Sequence, residues 1–252
     1  MQEIHVYPLP SMAEKSVVEN SVAVVIDVLR ATTVVAYAMN SGVKEIFPML
    51  DIEEAFRLKE KIECQAPASV LLGGERKGLP IKGFDLGNSP QDYTPERVGG
   101  KTLVFTTTNG TVAMHAARSA RRIYTAAFVN AAAVIDRIAK EKRIAIFCAG
   151  TNGLETEEDV LLAGCLVCRL CKLDGTSNGI ENRTLNVSAE TARQCWGSRE
   201  SIPDAELADR LRQSRGGHNL AAIGLDADIF AAARRDAFDV VPELAPSTMR
   251  IR

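Results

Sequence analysis

Between residues 22 and 172 the chain alternates short apolar runs with stretches of helical period, a pattern that restricts it to a small set of folds. Residues 22–28, rich in valine and isoleucine, have the pattern of a strand buried on both faces of a sheet, which predicts a central position. A helix over 31–40 follows, with Gly42 placed to end it, and then a strand over 44–49. The alternation continues with a helix at 52–63, strands at 69–72 and 102–105, and a helix at 111–119. A strand at 122–125, a helix at 131–141, a strand at 143–148 and a long helix at 157–172 complete it. Repeated β-α units with right-handed crossovers predict an α/β fold in three layers, α/β/α, around a largely parallel or mixed sheet.

Beyond residue 173 the pattern changes. Residues 174–183 are polar and glycine-containing, and the rest reads as helices at 188–196, 204–212 and 227–235, with a terminal edge strand expected at 239–241 that Pro242 and Pro246 keep short. We expect one domain over 1–252, with a β/α core at 1–173 and a mainly helical C-terminal portion at 174–252. An apolar fraction of 46% and a charged fraction of 25% in 252 residues support a sizeable core.

Thirty Lys plus Arg against 32 Asp plus Glu give a formal charge of -2, too little field to hold a nucleic-acid backbone, so no nucleic-acid partner is expected. Residues 1–10 carry no signal pattern, and no apolar run approaches the roughly 18 to 20 residues of a membrane span, so no membrane partner is expected and the cytoplasm is the expected compartment. Six cysteines then read as reduced thiols, and the spacing of Cys165, Cys168 and Cys171 places them on one side of a helix as small buried hydrophobes.

Ligands of open α/β sheets bind beyond the carboxyl ends of the strands, where helix N-termini converge. Asp27, Arg30, Thr32 and Thr33 lie where the first predicted strand gives way to its helix. The structural alternative is that the threonines begin the helix while Asp27 and Arg30 pair. Residues 73–90 hold five glycines and no regular period, and long loops of this kind are functional or disordered. Their Glu75, Arg76, Asp85, Asn88 and Ser89 suit a site for a hard cation and an anion together. Thr106, Thr107, Thr108, Asn109, Gly110 and Thr111 join a strand to a helix and offer hydroxyls and amides to an oxyanion, although a simple capped turn has the same composition. Residues 150–153 repeat the glycine-and-hydroxyl theme, followed by Glu155, Glu157, Glu158 and Asp159, which complement a helix dipole or reach a metal.

Several mechanisms lose support on the same residues. A D-x-D-x-T phosphatase loop would need other residues than Leu29 and Ala31 after Asp27. No P-loop, dinucleotide fingerprint or G-x-S-x-G elbow occurs, and the three histidines, His5, His115 and His218, are widely separated.

The segments Val24-Val-Ile-Asp-Val-Leu-Arg-Ala-Thr-Thr33, Gly73-Gly-Glu-Arg76, Gly83-Phe-Asp-Leu-Gly-Asn-Ser-Pro90 and Thr106-Thr-Thr-Asn-Gly-Thr111 together resemble the 2-phosphosulfolactate phosphatase family. The likeness extends to Phe128-Val-Asn130, Cys148-Ala-Gly-Thr151 and Glu158-Asp159. It implies magnesium-dependent hydrolysis of (R)-2-phospho-3-sulfolactate to 3-sulfolactate and phosphate, a reaction of the coenzyme M biosynthesis type. It implies catalytic roles for Asp27, Arg30, Glu75 and Asp85, and Mg²⁺ held by Asp27, Glu75, Asp85 and Asp159. Substrate contacts would come from Thr32, Thr33, Arg76, Asn88, Ser89, Thr107, Thr108, Asn109, Gly110 and Asn130. The expected partner is a small anionic phosphoester, and a homo-oligomer is in keeping with the resemblance. Two alternatives remain open at this level: a phosphatase of another small phosphorylated hydroxy acid, and a non-catalytic anion-binding module.

Overall fold

The computed structural model describes residues 1–66, 69–172, 183–197 and 199–252. In chain order the elements are β1 (Gln2–Tyr7), α1 (Lys15–Val18), β2 (Val22–Ile26), α2 (Ala31–Asn40), β3 (Glu45–Pro48) and α3 (Ile52–Glu63). A hairpin of β4 (Val70–Arg76) and β5 (Leu79–Pro80) follows, then α4 (Pro95–Val98), β6 (Thr102–Thr106) and α5 (Gly110–Ala116). Next come β7 (Arg122–Ala126), α6 (Ala131–Ile138), β8 (Arg143–Cys148) and α7 (Glu157–Lys172). The C-terminal portion holds β9 (Arg183–Leu185), α8 (Val187–Trp196), α9 (Asp204–Gln213), α10 (Arg215–Ala222), α11 (Asp226–Ala233), β10 (Glu243–Ala245) and β11 (Arg250–Ile251). The predicted polar segment at 174–183 falls outside the described residues except for Arg183.

The strands form one mixed, largely parallel sheet in the order β5-β4-β6-β3-β11-β10-β7-β2-β8-β1-β9. Burial of all five residues of β2 follows from its position between two parallel neighbours, with Ile26 paired to Ala126 of β7 and to Cys148 of β8. Side chains alternate along a strand, so β2 feeds two cores. Val22, Val24 and Ile26 pack with Leu162, Leu166 and Trp196 from α7 and α8, while Ala23 and Val25 pack with Val34, Val35 and Met114 from α2 and α5. Helices therefore cover both faces, which makes the fold a three-layer α/β/α sandwich.

Several features differ from the sequence expectation, which contained none of β1, β9 and α10. The predicted edge strand at 239–241 is absent; instead β10 and β11 form an antiparallel hairpin in the sheet interior, with β10 on β7 and β11 on β3. Pro242 and Pro246 bound β10 rather than abolish a strand, and the Pro242 carbonyl accepts a hydrogen bond from Thr125 N at 3.1 Å. The glycine-rich stretch also begins as a strand, because β4 continues to Arg76 and turns at Lys77 and Gly78 into β5. Both turn residues have positive φ, 55° and 81°, as a two-residue hairpin turn demands. The cysteines of α7 match the core reading: Cys165, Cys168 and Cys171 are buried, and burial pushes the thiols of Cys165 and Cys168 up. No helix of the described residues is long and apolar enough to cross a membrane.

Candidate functional site

A cavity of about 420 Å³ lies beyond the carboxyl ends of β2, β4, β6 and β8, with α10 as its opposite wall. Of the residues singled out in the sequence, Asp27, Arg30, Glu75, Asn88, Thr108 and Asn109 line it.

Asp27 leaves β2 into a locked turn. Thr32 Oγ1 accepts from Asp27 N and donates to Asp27 O, both at 2.9 Å, and Asp27 Oδ1 accepts from Ala31 N at 3.2 Å. The Thr33 hydroxyl donates to Val28 O at 2.8 Å. Both threonines are fully buried and spend their hydroxyls on starting α2, so they hold the turn and do not face a ligand. Gly110, at the start of α5, also builds the site indirectly. A Cβ there would stand 2.4 Å from Ala31 Cβ and 2.7 Å from Asp27 Oδ2, so its lack of a side chain lets α5 approach α2 and Asp27.

Arg30 is buried and its guanidinium is fixed on one side, with Nη1 donating to Asp228 Oδ2 at 2.6 Å and Nη2 to Gly78 O at 2.9 Å. Asp228, from α11, also accepts from the Ser89 hydroxyl at 2.6 Å, so Ser89 acts through Asp228 and does not line the cavity. Glu75 is held from both oxygens: Oε1 accepts from Thr108 N and Oε2 from Gly78 N, each at 2.7 Å. Asn109 Oδ1 accepts from Asn152 N at 3.1 Å and ties the loop after β6 to that after β8. Asn88 Oδ1 and Thr108 Oγ1 are buried at the cavity with no hydrogen-bond partner among the described residues, two oxygens ready for a ligand.

Burial pushes the Asp27 carboxyl up to about 7, and the nearby Glu75 and Glu158 carboxylates add to the rise against the Ala31 amide and Arg30. Glu158 is likewise raised by burial. Asp159 is raised well above the ordinary range, first by burial and then by Asp27 and Glu158. Asp27 and Glu75 thus stand in the cavity with Glu158 and Asp159 close to Asp27 outside it.

The remaining sequence candidates stand elsewhere. Asp159 does not line the cavity; its carboxylate accepts from Val28 N at 2.9 Å and Gly150 N at 3.0 Å, clamping the loops after β2 and β8. Asp85 lies outside the cavity, accepting from Leu72 N at 2.8 Å and pairing with Lys59 at 2.9 Å; burial raises its carboxyl, but these two partners outweigh it and the net shift is downward. Arg76 turns from the cavity to Glu75 O, Leu50 O and Thr106 Oγ1. Thr107 and Thr111 exchange side-chain and backbone hydrogen bonds at the start of α5. Asn130 is fully buried and caps its own turn, accepting from Ala127 N at 2.8 Å and donating to Val240 O at 3.1 Å.

Sequence reasoning missed the contribution of the C-terminal portion. Gly216, Asn219, Leu220 and Ile223 wall the cavity, and Asp228 anchors Arg30, yet none belongs to a motif that announces chemistry. Lys77 was also missed, because Lys-Gly is not one of the pairs that signal a two-residue hairpin turn. His115 bonds Pro48 O at 3.0 Å, a structural role, and His218 does not line the cavity.

A divalent cation fits these donors in kind. Among the described residues no three His, Cys, Asp or Glu side chains form a ready-made metal group. Mg²⁺, however, ordinarily takes one or two carboxylates and completes its shell with water and substrate oxygens. Asp27, Glu75 and the unpartnered Asn88 Oδ1 supply hard oxygen ligands of that type.

Fold and cavity together define an α/β protein with a carboxylate-lined small-molecule site at the carboxyl ends of its strands. The family model described as 2-phosphosulpholactate phosphatase matches residues 7–246. A protein of Caldicellulosiruptor saccharolyticus named probable 2-phosphosulfolactate phosphatase is 40% identical over 233 residues, covering 90% of this chain and 90% of its own. One of the same name from Thermotoga maritima is 38% identical over 233 residues, 92% of this chain and 93% of its own. The chain belongs to the 2-phosphosulpholactate phosphatase family.

Proposed function

We propose that the protein is a cytoplasmic, magnesium-dependent phosphatase that hydrolyses (R)-2-phospho-3-sulfolactate to 3-sulfolactate and phosphate, a step of the coenzyme M biosynthesis type. The observation that carries this reading is the pairing of crowded carboxylates, Asp27 and Glu75, with the clamped Arg30 in one cavity beside two unpartnered oxygens. A bare anion binder has no use for carboxylates at its ligand, because each repels it. A hydrolase that works through a cation needs them.

Asp27 and Glu75, with Asn88 Oδ1, would hold Mg²⁺, which when bound supplies charge neutralisation at the transferring phosphoryl group. Arg30 engages Asp228 and Gly78 through Nη1 and Nη2, and its remaining N–H groups orient phosphoryl oxygens. The Thr108 hydroxyl and the Asn88 side chain bond the ester from the opposite loops. Leu29, Leu220 and Ile223 exclude water from one wall. Glu75 needs no rearrangement on binding, since Thr108 N and Gly78 N already fix it.

Replacing Asp27 by Asn keeps the acceptor for Ala31 N and removes the charge, so turnover should fall at least about 100-fold while circular dichroism stays unchanged. A rate within a few-fold of the unsubstituted protein would contradict the role given to Asp27.

A further inference from the structure

We propose that Lys77 recognises a second anionic group on the substrate, a carboxylate or sulfonate separate from the phosphoryl group, and so sets a preference for phosphorylated acids over neutral phosphoesters. This rests on the phosphatase reading above and deepens it.

Three cations stand near the β4–β5 hairpin and the β2 turn, and the geometry separates their roles. Arg30 is buried and neutralised by Asp228 at 2.6 Å. Arg76 is bonded to two carbonyls and the Thr106 hydroxyl and does not line the cavity. Lys77 lines the cavity and has no ion pair among the described residues. With Asp27 and Glu75 lining the same cavity, a second negative group on the substrate would be repelled unless a free cation met it.

The chain also fixes where that cation stands. Lys77 occupies the first position of a two-residue turn at φ 55°, a conformation that residues other than Gly, Asn and Asp seldom adopt. Its neighbour Gly78 is held at both ends, donating to Glu75 Oε2 at 2.7 Å and accepting from Arg30 Nη2 at 2.9 Å. A Cβ on Gly78 would lie 3.2 Å from Ile223 Cδ1, so the turn also abuts α10. The turn is therefore anchored to the two residues, Glu75 and Arg30, that serve the phosphoryl end. Lys77 follows Glu75 by two residues, at most about 7 Å between Cα atoms. A substrate with a second anionic group beside the phosphoryl group can meet Lys77 within the same cavity, and a neutral phosphoester leaves Lys77 unused.

The test compares phosphate release from 2-phospholactate and from isopropyl phosphate, which carries a methyl group in place of the carboxylate. Lys77→Asn and Lys77→Gly suit the positive φ of the turn, so neither should lose activity by unfolding. Both should raise KM for 2-phospholactate about tenfold or more, with kcat changed less than about twofold, the loss expected for one charge-assisted contact made equally in ground and transition states. Values of kcat/KM for isopropyl phosphate should change far less, and Lys77→Arg should retain the preference for the acid. Equal effects on both substrates, or no effect on either, would overturn the inference and leave the phosphatase reading standing. Release from neither compound by the unsubstituted protein would overturn the inference, and the absence of release from (R)-2-phospho-3-sulfolactate as well would overturn the phosphatase reading.

Discussion

Asp27 holds its carboxyl where burial and two neighbouring carboxylates all resist its charge, raising its pKa from 3.8 to about 7. In the metal-free protein the folded state therefore binds a proton that the unfolded chain has released across that interval. The contribution of Asp27 to stability should be fully present below the unfolded value and should be lost as pH rises from 3.8 to about 7. Asp27→Asn should flatten this part of a Tm-against-pH curve, whereas an unchanged slope would assign the proton to another group. Arg30 presents the opposite case, a buried cation whose counter-charge comes from 198 residues away. Asp228→Ala leaves that guanidinium unpaired and should cost about 3–5 kcal/mol in urea unfolding, while Asp228→Asn keeps an acceptor for Ser89 and should cost less. At this scale the sequence distinguished strand-end residues well, and the structure brings six of them into one cavity. It could not separate a threonine that faces a ligand from one that caps a turn, since Thr32, Thr33 and Thr107 have the same chemistry as Thr108 and differ only in which atoms they already bond.

Helix α10 closes the cavity by packing its first turn directly on Glu158. A Cβ at Gly216 would lie 2.1 Å from Glu158 Oε1, so Gly216→Ala must shift either the buried Glu158 carboxyl or the helix that carries the cavity residues Asn219 and Leu220. We expect a loss of turnover together with about 1–3 kcal/mol of stability. Gly164→Ala is the control: its Cβ would meet Ala192 O at 2.0 Å and force α7 from α8, away from any cavity residue. It should lower Tm with kcat largely preserved, and parallel losses of activity in both variants would remove the specific role of α10. Elements of full period, such as α2, α3 and α7, were legible because three turns or so of amphipathic pattern leave little ambiguity. Short elements were not. The three residues of β9 and the two of β11 carry no period, and their pairing partners decide their state. Residues 2–7 do alternate, with Ile4 and Val6 buried, and that signal for β1 was available.

Across the whole molecule, β-α alternation made the three-layer architecture readable, whereas the strand order depends on contacts between segments distant in sequence. The C-terminal hairpin β10–β11 joins two blocks of parallel strands, and Leu244 and Ile251 enter the core as a result. That same C-terminal portion supplies a wall of the cavity and the anchor of Arg30, so sheet and site are completed by residues that follow every recognisable motif. The most direct test is phosphate release from (R)-2-phospho-3-sulfolactate by the full chain with Mg²⁺ and again with excess chelator. Rapid release that the chelator abolishes and added Mg²⁺ restores is the predicted result; folded protein that releases no phosphate with Mg²⁺, or releases it equally well under chelation, would contradict a magnesium-dependent phosphatase.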